Sequence, residues 1–248
     1  LKKNEFKKFR ILTNSKFSWI EALSLLEKNK ILVPSQLISM DTDYLKNENI
    51  IRFPISTGAA TSVTLNDAIY RGACEVVERD SFMISYLNKL SSPKVDLKKL
   101  DDLDIGNILK IFERYRLELV IIDITTDLKI PAFAALVIDR TGLGPSVSLG
   151  LKAGFNIKDT IIGAIEESLM TRSWIRDKFV YMDPNYKENK EIISIEDRAH
   201  FWLSTNKIKY LDFWLNSKNE SKIDLNANKN NAEDQLDRIA NIFKKHFM

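Results

Sequence analysis

The chain has one cysteine, Cys74, and two histidines, His200 and His246, in 248 residues. A lone cysteine excludes an internal disulfide framework and any multi-cysteine zinc site, and it points to a reducing, cytoplasmic compartment. The two histidines are distant in sequence from the helices that carry the candidate site, which makes a histidine-based triad or zinc site a poor choice. An excess of one charge is also missing. Thirty-seven Lys and Arg against 34 Asp and Glu leave +3, with no dense basic block of the kind that marks a nucleic-acid arm or a polybasic membrane segment. Long hydrophobic runs are absent too: stretches such as 119–122 and 132–138 fall far below the roughly 20 residues that span a bilayer, and no signal-peptide pattern opens the chain. Neither nucleic acid nor membrane is expected as a partner. The chain starts at Leu1 without a methionine and stops just after a helix-like segment, so it is read as incomplete at both ends.

What is present suits one globular domain over residues 1–248, with 44% hydrophobic residues to build a core. Residues 17–33, FSWIEALSLLEKNKILV, read as an amphipathic helix through Trp19, Ala22, Leu23 and Leu26, running into a short strand at 31–33 that Pro34 ends. IIRFPI, residues 50–55, reads as another short strand. A long helix is predicted over 64–87, with Thr64 as N-cap and Asp67 placed to favour the helix dipole. LELVIIDIT, PAFAALVI and SVSLG are three runs of strand character, with TTDLKI connecting the first two. A second long helix follows from Ile157 to about Lys178, and Pro184 lies beyond its end. Residues 216–231 are polar enough to be a mobile loop, and helical periodicity returns from Asp234 to Phe247. The expected fold is α/β or α+β, a layered mixed sheet with long packed helices.

Two glutamates three apart, Glu75 and Glu78, sit in the first long helix on the flank of a stripe made by Leu65, Ile69, Gly72, Val76, Met83 and Leu87. That stripe is expected to meet the sheet. Two like charges one turn apart near a core repel, so either a cation lies between them or one is protonated. The second helix repeats the situation: Glu166 and Glu167 fall outside the apolar arc of Ile157, Ile161, Ala164, Ile165 and Leu169. Carboxylates from two facing helices make a hard-cation site, with magnesium the usual occupant when phosphates share the coordination shell. The turn Ser56-Thr57-Gly58 adds a hydroxyl and backbone amides shortly before the first helix, a place that suits an anion. Each feature has a plainer reading. Glutamates at i and i+3 usually lie on a solvated face, here with Arg71 or Arg79 as partners; one glycine is a weak phosphate signal; Arg172 alone reads as a surface or salt-bridging residue; Cys74 reads as a small apolar filler.

The order STGAA (56–60), AIYRGACEVVERD (68–80) and, about eighty residues later, AIEESLMTR (164–172) resembles the YcaO family. Its pattern is a Ser-x-Gly-x-Ala turn, a helix with Glu-x-x-Glu-Arg-Asp, and a second helix with Ala-x-x-Glu-x-x-Gln-x-Arg. The segment FSWIEALSLLEKNKILVPSQLI is similar to the family stretch upstream of the turn, so the resemblance covers roughly residues 17–180. It implies a YcaO-like fold that binds ATP with Mg2+ and activates backbone amides of a ribosomally made precursor peptide. The implied outcome is cyclodehydration of Cys, Ser or Thr to azolines in natural-product maturation. Relatives form thioamides or amidines instead. By the same resemblance Ser56 lies at the nucleotide, Glu75, Glu78 and Glu167 hold magnesium and phosphates, and Arg172 meets a phosphate; no residue is assigned a catalytic role.

Three departures qualify this. Thr57 stands where the family commonly has Asn. Met170 replaces the Gln of the second helix and offers no oxygen to magnesium, leaving Glu166 to cover. The closing strands and proline-rich tail of azoline-forming members are not in the chain. The alternative is a degenerate YcaO-like protein acting as a non-catalytic binding or scaffold partner in a peptide-maturation complex. A leader-binding or other accessory protein, and a homodimer, are the further partners considered.

Overall fold

The computed structural model describes residues 13–40, 48–52, 54–180, 192, 194–225 and 232–247. The chain divides into two compact units, one of residues 1–59 with 237–248 and a larger one of residues 60–236. Pro184 lies outside the described residues.

In the first unit, β1 (Trp19–Leu23) and β2 (Lys30–Pro34) form an antiparallel hairpin, with Trp19 opposite Pro34 and Leu23 opposite Lys30. This corrects the helix expected through Trp19, Ala22, Leu23 and Leu26, whereas the short strand expected at 31–33 lies within β2. The reversal is made at Ser24–Asn29, where the Ser24 amide donates to the Asn29 carbonyl, the Glu27 amide donates to Ser24 Oγ, and Lys28 takes a left-handed φ of 58°. The i, i+3, i+4 spacing of Trp19, Ala22 and Leu23 did not mark a helix face, because Trp19 and Leu23 stay largely exposed on one side of a hairpin. The strand expected at 50–55 is also corrected: the described residues there are irregular. Gln36, buried, ties the segment together, donating to Glu48 and Asn49 and accepting from the Ile51 amide.

The larger unit is built on a four-stranded sheet in the order β3 (Lys94–Val95), β4 (Glu118–Asp123), β5 (Ala132–Ile138), β6 (Val147–Ala153), antiparallel throughout. Ile121 pairs with Ala135, and Ala135 with Gly150, which fixes the faces. Every residue of β5 is buried, as its unbroken apolar sequence requires. Helix α1 (Leu65–Leu87) precedes the sheet, α2 (Leu103–Arg114) lies between β3 and β4, and α3 (Ile157–Val180) follows β6. The core joins Ile105 and Phe112 of α2, Ile121, Phe133, Ala135 and Val137 of the sheet, and Ile157, Ile161, Ala164 and Ile165 of α3. Beyond α3 come α4 (Ile195–Phe201), a 3-10 turn at Thr205–Leu211 and the short α5 (Asp212–Leu215), and the last helix, α6 (Ala232–Phe247), belongs from Asp237 onward to the first unit. The α+β class with long helices on a sheet is therefore as expected, and α2 and α4 are additions to it. The loop expected at 216–231 is irregular in its described part, with one bridge to the sheet. Lys94 N donates to the Asn219 carbonyl, Ser221 N donates to the Lys94 carbonyl, and Ser221 Oγ bonds Asp123, so residues 217–221 run along β3 as a short parallel addition to the sheet. Residues 226–231 lie outside the described residues. No helix among the described residues is long and apolar enough to cross a membrane.

Candidate functional site

Thr64 caps α1 as its sequence indicates, accepting from the Asp67 amide at 3.2 Å. Most of the face that α1 buries is the opposite of the one its apolar stripe suggests, although Gly72 of that stripe is buried and Ile69 half-buried. Leu65, Val76, Met83 and Leu87 are 75%, 46%, 47% and 65% exposed, whereas Cys74, Val77, Glu78, Ser81 and Ser85 are buried. At about 100° per residue the two sets lie half a turn apart. The buried set is small and polar for a physical reason. Trp214, wholly buried, donates from its indole N–H to Ser85 Oγ at 2.9 Å and packs its ring 6.2 Å from Phe82 and 6.0 Å from Tyr86. At the other end, Tyr70 Oη accepts from the Phe155 amide just past β6. Serines and a cysteine leave room for that close seat, and Glu78 is carried inward with them.

Glu78 is 4% exposed. Burial first, then the charges of Glu167 and, to a smaller extent, Glu75, push its carboxyl up to about 7 against the lowering effect of Lys152 and Arg79. Cys74, one turn earlier, is pushed up to about 11, chiefly by burial. It is a buried filler rather than a reactive thiol. Arg79 bridges the glutamates of its own helix, 3.3 Å from Glu75 and 3.7 Å from Glu78.

Glu167 reaches the site from α3, which lies over β6 and β5. Its seat is very close: a Cβ on Gly150 of β6 would fall on the Ala164 carbonyl oxygen and the Ser168 amide nitrogen. That closeness lets Glu167 Oε2 accept from the Leu151 amide at 2.7 Å. The arc of α3 is Ile157, Ile161, Ala164 and Ile165 as expected, but it continues through buried Ser168 and Ile175 and not through Leu169, which is 40% exposed. Ser168 takes the place because its hydroxyl can return to the Ile165 carbonyl. Glu166 points outward and is exposed.

Glu167 and Glu75 each act on Glu78 through their charge, and among the described residues no three acidic, histidine or cysteine side chains are gathered closely enough to ligate one ion. Arg172 is engaged elsewhere. Its guanidinium donates to Asp139 Oδ2 and to the Pro145 carbonyl, both at 2.6 Å, and it closes the turn between β5 and β6. Met170 is 72% exposed and packs against no interior. Ser56 belongs to the first unit, where the Ala59 amide donates to its carbonyl and Gly58 supplies the left-handed φ of 88° that the turn requires. One residue escaped the sequence reading. Lys152 is the single charged position in β6 and acts on both Glu78 and Cys74. A lone lysine in an otherwise apolar strand was the available signal.

Comparison with known proteins agrees with this frame. A curated relative from Rhizobium leguminosarum bv. trifolii, an uncharacterized protein in the tfuA 3' region, is 30% identical over 123 residues, 48% of this chain and 29% of that protein. Among solved structures, a heterocyclase in complex with substrate and cofactor superposes with a TM-score of 0.71 at 23% identity, over 92% of this chain and 29% of that one. The Escherichia coli microcin synthetase McbBCD complex with pro-MccB17 bound gives 0.69 at 19% identity, over 96% of this chain and 63% of that one. The chain therefore spans less than two thirds of these relatives and shares their fold. The model of the family described as YcaO cyclodehydratase, ATP- and Mg2+-binding, matches residues 2–248, and the chain belongs to the YcaO family.

Proposed function

We propose that the chain binds ATP with Mg2+ and activates backbone amides of a ribosomally made precursor peptide, leading to cyclodehydration of Cys, Ser or Thr. The observation that supports this reading is the buried carboxyl of Glu78, held beside the like charges of Glu167 and Glu75. A protein gains nothing in stability from such a group, and a hard divalent cation is the ligand that would make the arrangement favourable. Glu75, Glu78 and Glu167 have the oxygen chemistry for it and would hold it only once their side chains turn to a common point, with Arg79 and the Leu151 amide yielding their carboxylates. When bound, magnesium would neutralise phosphate charge while the peptide oxyanion, formed by side-chain attack on the preceding carbonyl, accepts the γ-phosphoryl group. The chain's own part is positioning and electrostatics, which needs no histidine. Ser56 and the amides of its turn are the assigned nucleotide contact. Arg172 can meet a phosphate only by leaving Asp139, and otherwise it holds the β5–β6 turn.

The experiment is a thermal melt of the full chain with Mg2+ and ATP. A ligand bound only by the folded state stabilises it by about 2.7 kcal/mol at a hundredfold excess over its dissociation constant. Glu75→Gln is expected to abolish the shift. Mass spectrometry of a Cys- or Ser-bearing peptide then reads the product, with loss of one water marking an azoline, and thioamide or amidine formation giving other mass changes. A heterocyclase with bound substrate and a multi-subunit synthetase with its pro-peptide are among the structural relatives, which supports a precursor peptide as substrate and an accessory protein as partner. A second reading, a non-catalytic partner in such a complex, is favoured by the exposed Met170 and the occupied Arg172. Absence of any ATP-dependent shift in the folded chain would select it.

A further inference from the structure

The hairpin of the first unit has two unequal edges. The Ser35 amide donates to the Ser18 carbonyl and the Ser24 amide to the Asn29 carbonyl, so Ile20 and Ala22, between them, turn their main-chain groups toward β2. Trp19, Glu21 and Leu23, at the alternate positions, turn theirs away, and among the described residues no hydrogen bond reaches them from that side. The outer edge of β2 is blunted instead by Pro34, which has no amide hydrogen to give. The same three residues of β1 set the chemistry of one face. Trp19 and Leu23 are 54% and 69% exposed, and Leu32, opposite Glu21, is 66% exposed. Glu21 is bridged to Lys30 at 2.8 Å, which leaves this face apolar and without net charge. A two-stranded ribbon with its apolar side chains in water is marginal by itself, and a third strand with apolar side chains on this face would complete it.

A second copy of the chain is a poor occupant. The two-fold register that uses the whole edge sets Glu21 directly opposite its own counterpart, and like charges destabilise a cross-strand pair. The five-residue length of β1 also falls short of the roughly 1,000 Å2 that a stable protein interface buries. It suits a short extended peptide, held by main-chain bonds and by alternate side chains. We propose that the outer edge of β1 is the docking strand for an extended segment of the precursor peptide, with apolar side chains opposite Trp19 and Leu23 and a polar or basic one opposite Glu21. The inference rests on the reading of the substrate as a ribosomally made peptide. It gives the hairpin a task separate from the chemistry, that of holding the substrate chain while other residues act on it.

The test is amide hydrogen exchange by NMR on the full chain. The probe is a blocked seven-residue peptide of threonines with leucine at its second and sixth positions and lysine at its fourth. It should slow exchange at Trp19, Glu21 and Leu23 by about tenfold or more. Glu21→Pro removes the central outward amide without touching a bond to β2, and should weaken the probe by about tenfold or more. Leu32→Pro makes the same change on the opposite edge and should leave the affinity within about twofold. Exchange at Ile20 and Ala22 reports whether the hairpin is intact in each variant; if either is disrupted, the wild-type pattern decides alone. Protection of the three outward amides in the free chain means that a second copy or another stretch of chain already covers the edge, and overturns the proposal. So does no binding of the probe at about millimolar concentration, binding that leaves the three amides unchanged, or equal affinity in an intact Glu21→Pro. Mass spectrometry separates docking from activity. ATP-dependent water loss from a peptide that leaves the edge unprotected keeps the activity and removes the docking strand, whereas protection with no ATP-dependent change keeps the docking strand and removes the activity.

Discussion

Helices α1 and α3 carry the same kind of sequence, a long amphipathic segment with a pair of glutamates beside an apolar stripe, and they use it in opposite ways. Helix α3 turns its stripe inward: Ile157, Ile161, Ala164 and Ile165 join the core, and its glutamates stay at the margin. Helix α1 leaves Leu65, Met83 and Leu87 exposed and buries Cys74, Glu78, Ser81 and Ser85. The difference lies in what each helix rests on. Helix α3 lies over apolar strands, where a broad hydrophobic face gains most. Helix α1 fits against a tryptophan ring and the end of β6, where small side chains and hydrogen-bonding groups permit contact. An apolar stripe identifies a face that can be buried; the partner's shape decides which face is.

Four changes would break or sharpen this contrast. The largest effect is expected from Gly150→Ala, since the added methyl meets helix backbone and α3 would have to lift from β6. A loss of about 4 kcal/mol in urea unfolding is expected, and a loss below about 1 kcal/mol would mean that α3 seats more loosely than described. Ile161→Ala, in the wholly buried stripe of α3, should cost about 3 kcal/mol by the same measurement.

Glu78 gives the third through pH. Its carboxyl in the folded chain, at about 7, lies above the ordinary 4.5, so between these values the folded state binds more protons than the unfolded state. Its contribution is greatest below pH 4.5 and is lost as pH rises through 7, by roughly 3 kcal/mol. Glu78→Gln should flatten that slope and raise the metal-free melting temperature at pH 8. A wild-type stability that rises over this window and stays unchanged in the variant would contradict the burial of Glu78. The smallest effect belongs to the exposed stripe of α1. Met83→Lys and Leu87→Lys should each change stability by less than about 0.5 kcal/mol, and a loss comparable to that of Ile161→Ala would show the stripe to be covered.

Much of the larger unit was legible. The strands at 118–123, 132–138 and 147–153 have the β-branched runs that sheets select, and Thr64 and Asp67 marked the start of α1. That a glutamate of α1 would need an explanation was legible, and Glu78 is the one that the fold buries. What could not be read was orientation. Nothing in α1 itself says that Trp214, far along the chain, will bond Ser85 and pull the polar side inward. The hairpin at 19–34 failed for a related reason. The strand ended by Pro34 was legible, but the apolar residues of β1 stay largely exposed, so its strand period was hidden and a chance helical spacing replaced it. Arg172 was placed by motif at a phosphate, whereas the turn closed by Asp139 and Pro145 depends on a contact between distant positions that no local pattern announces.

Among the described residues β6 ends the sheet, and no strand pairs with the amides of alternate residues along its outer side. An open edge of this kind is a template on which another chain can pair and begin to aggregate. Here the Leu151 amide is occupied by Glu167, which places a negative oxygen where an incoming strand would have to bring its carbonyl. The Val147 amide, at the start of the same strand, is taken by the Trp202 carbonyl. The glutamate that is a candidate ligand is thus also a guard against self-association, and replacing it by alanine would expose a sticky edge as well as remove a carboxylate.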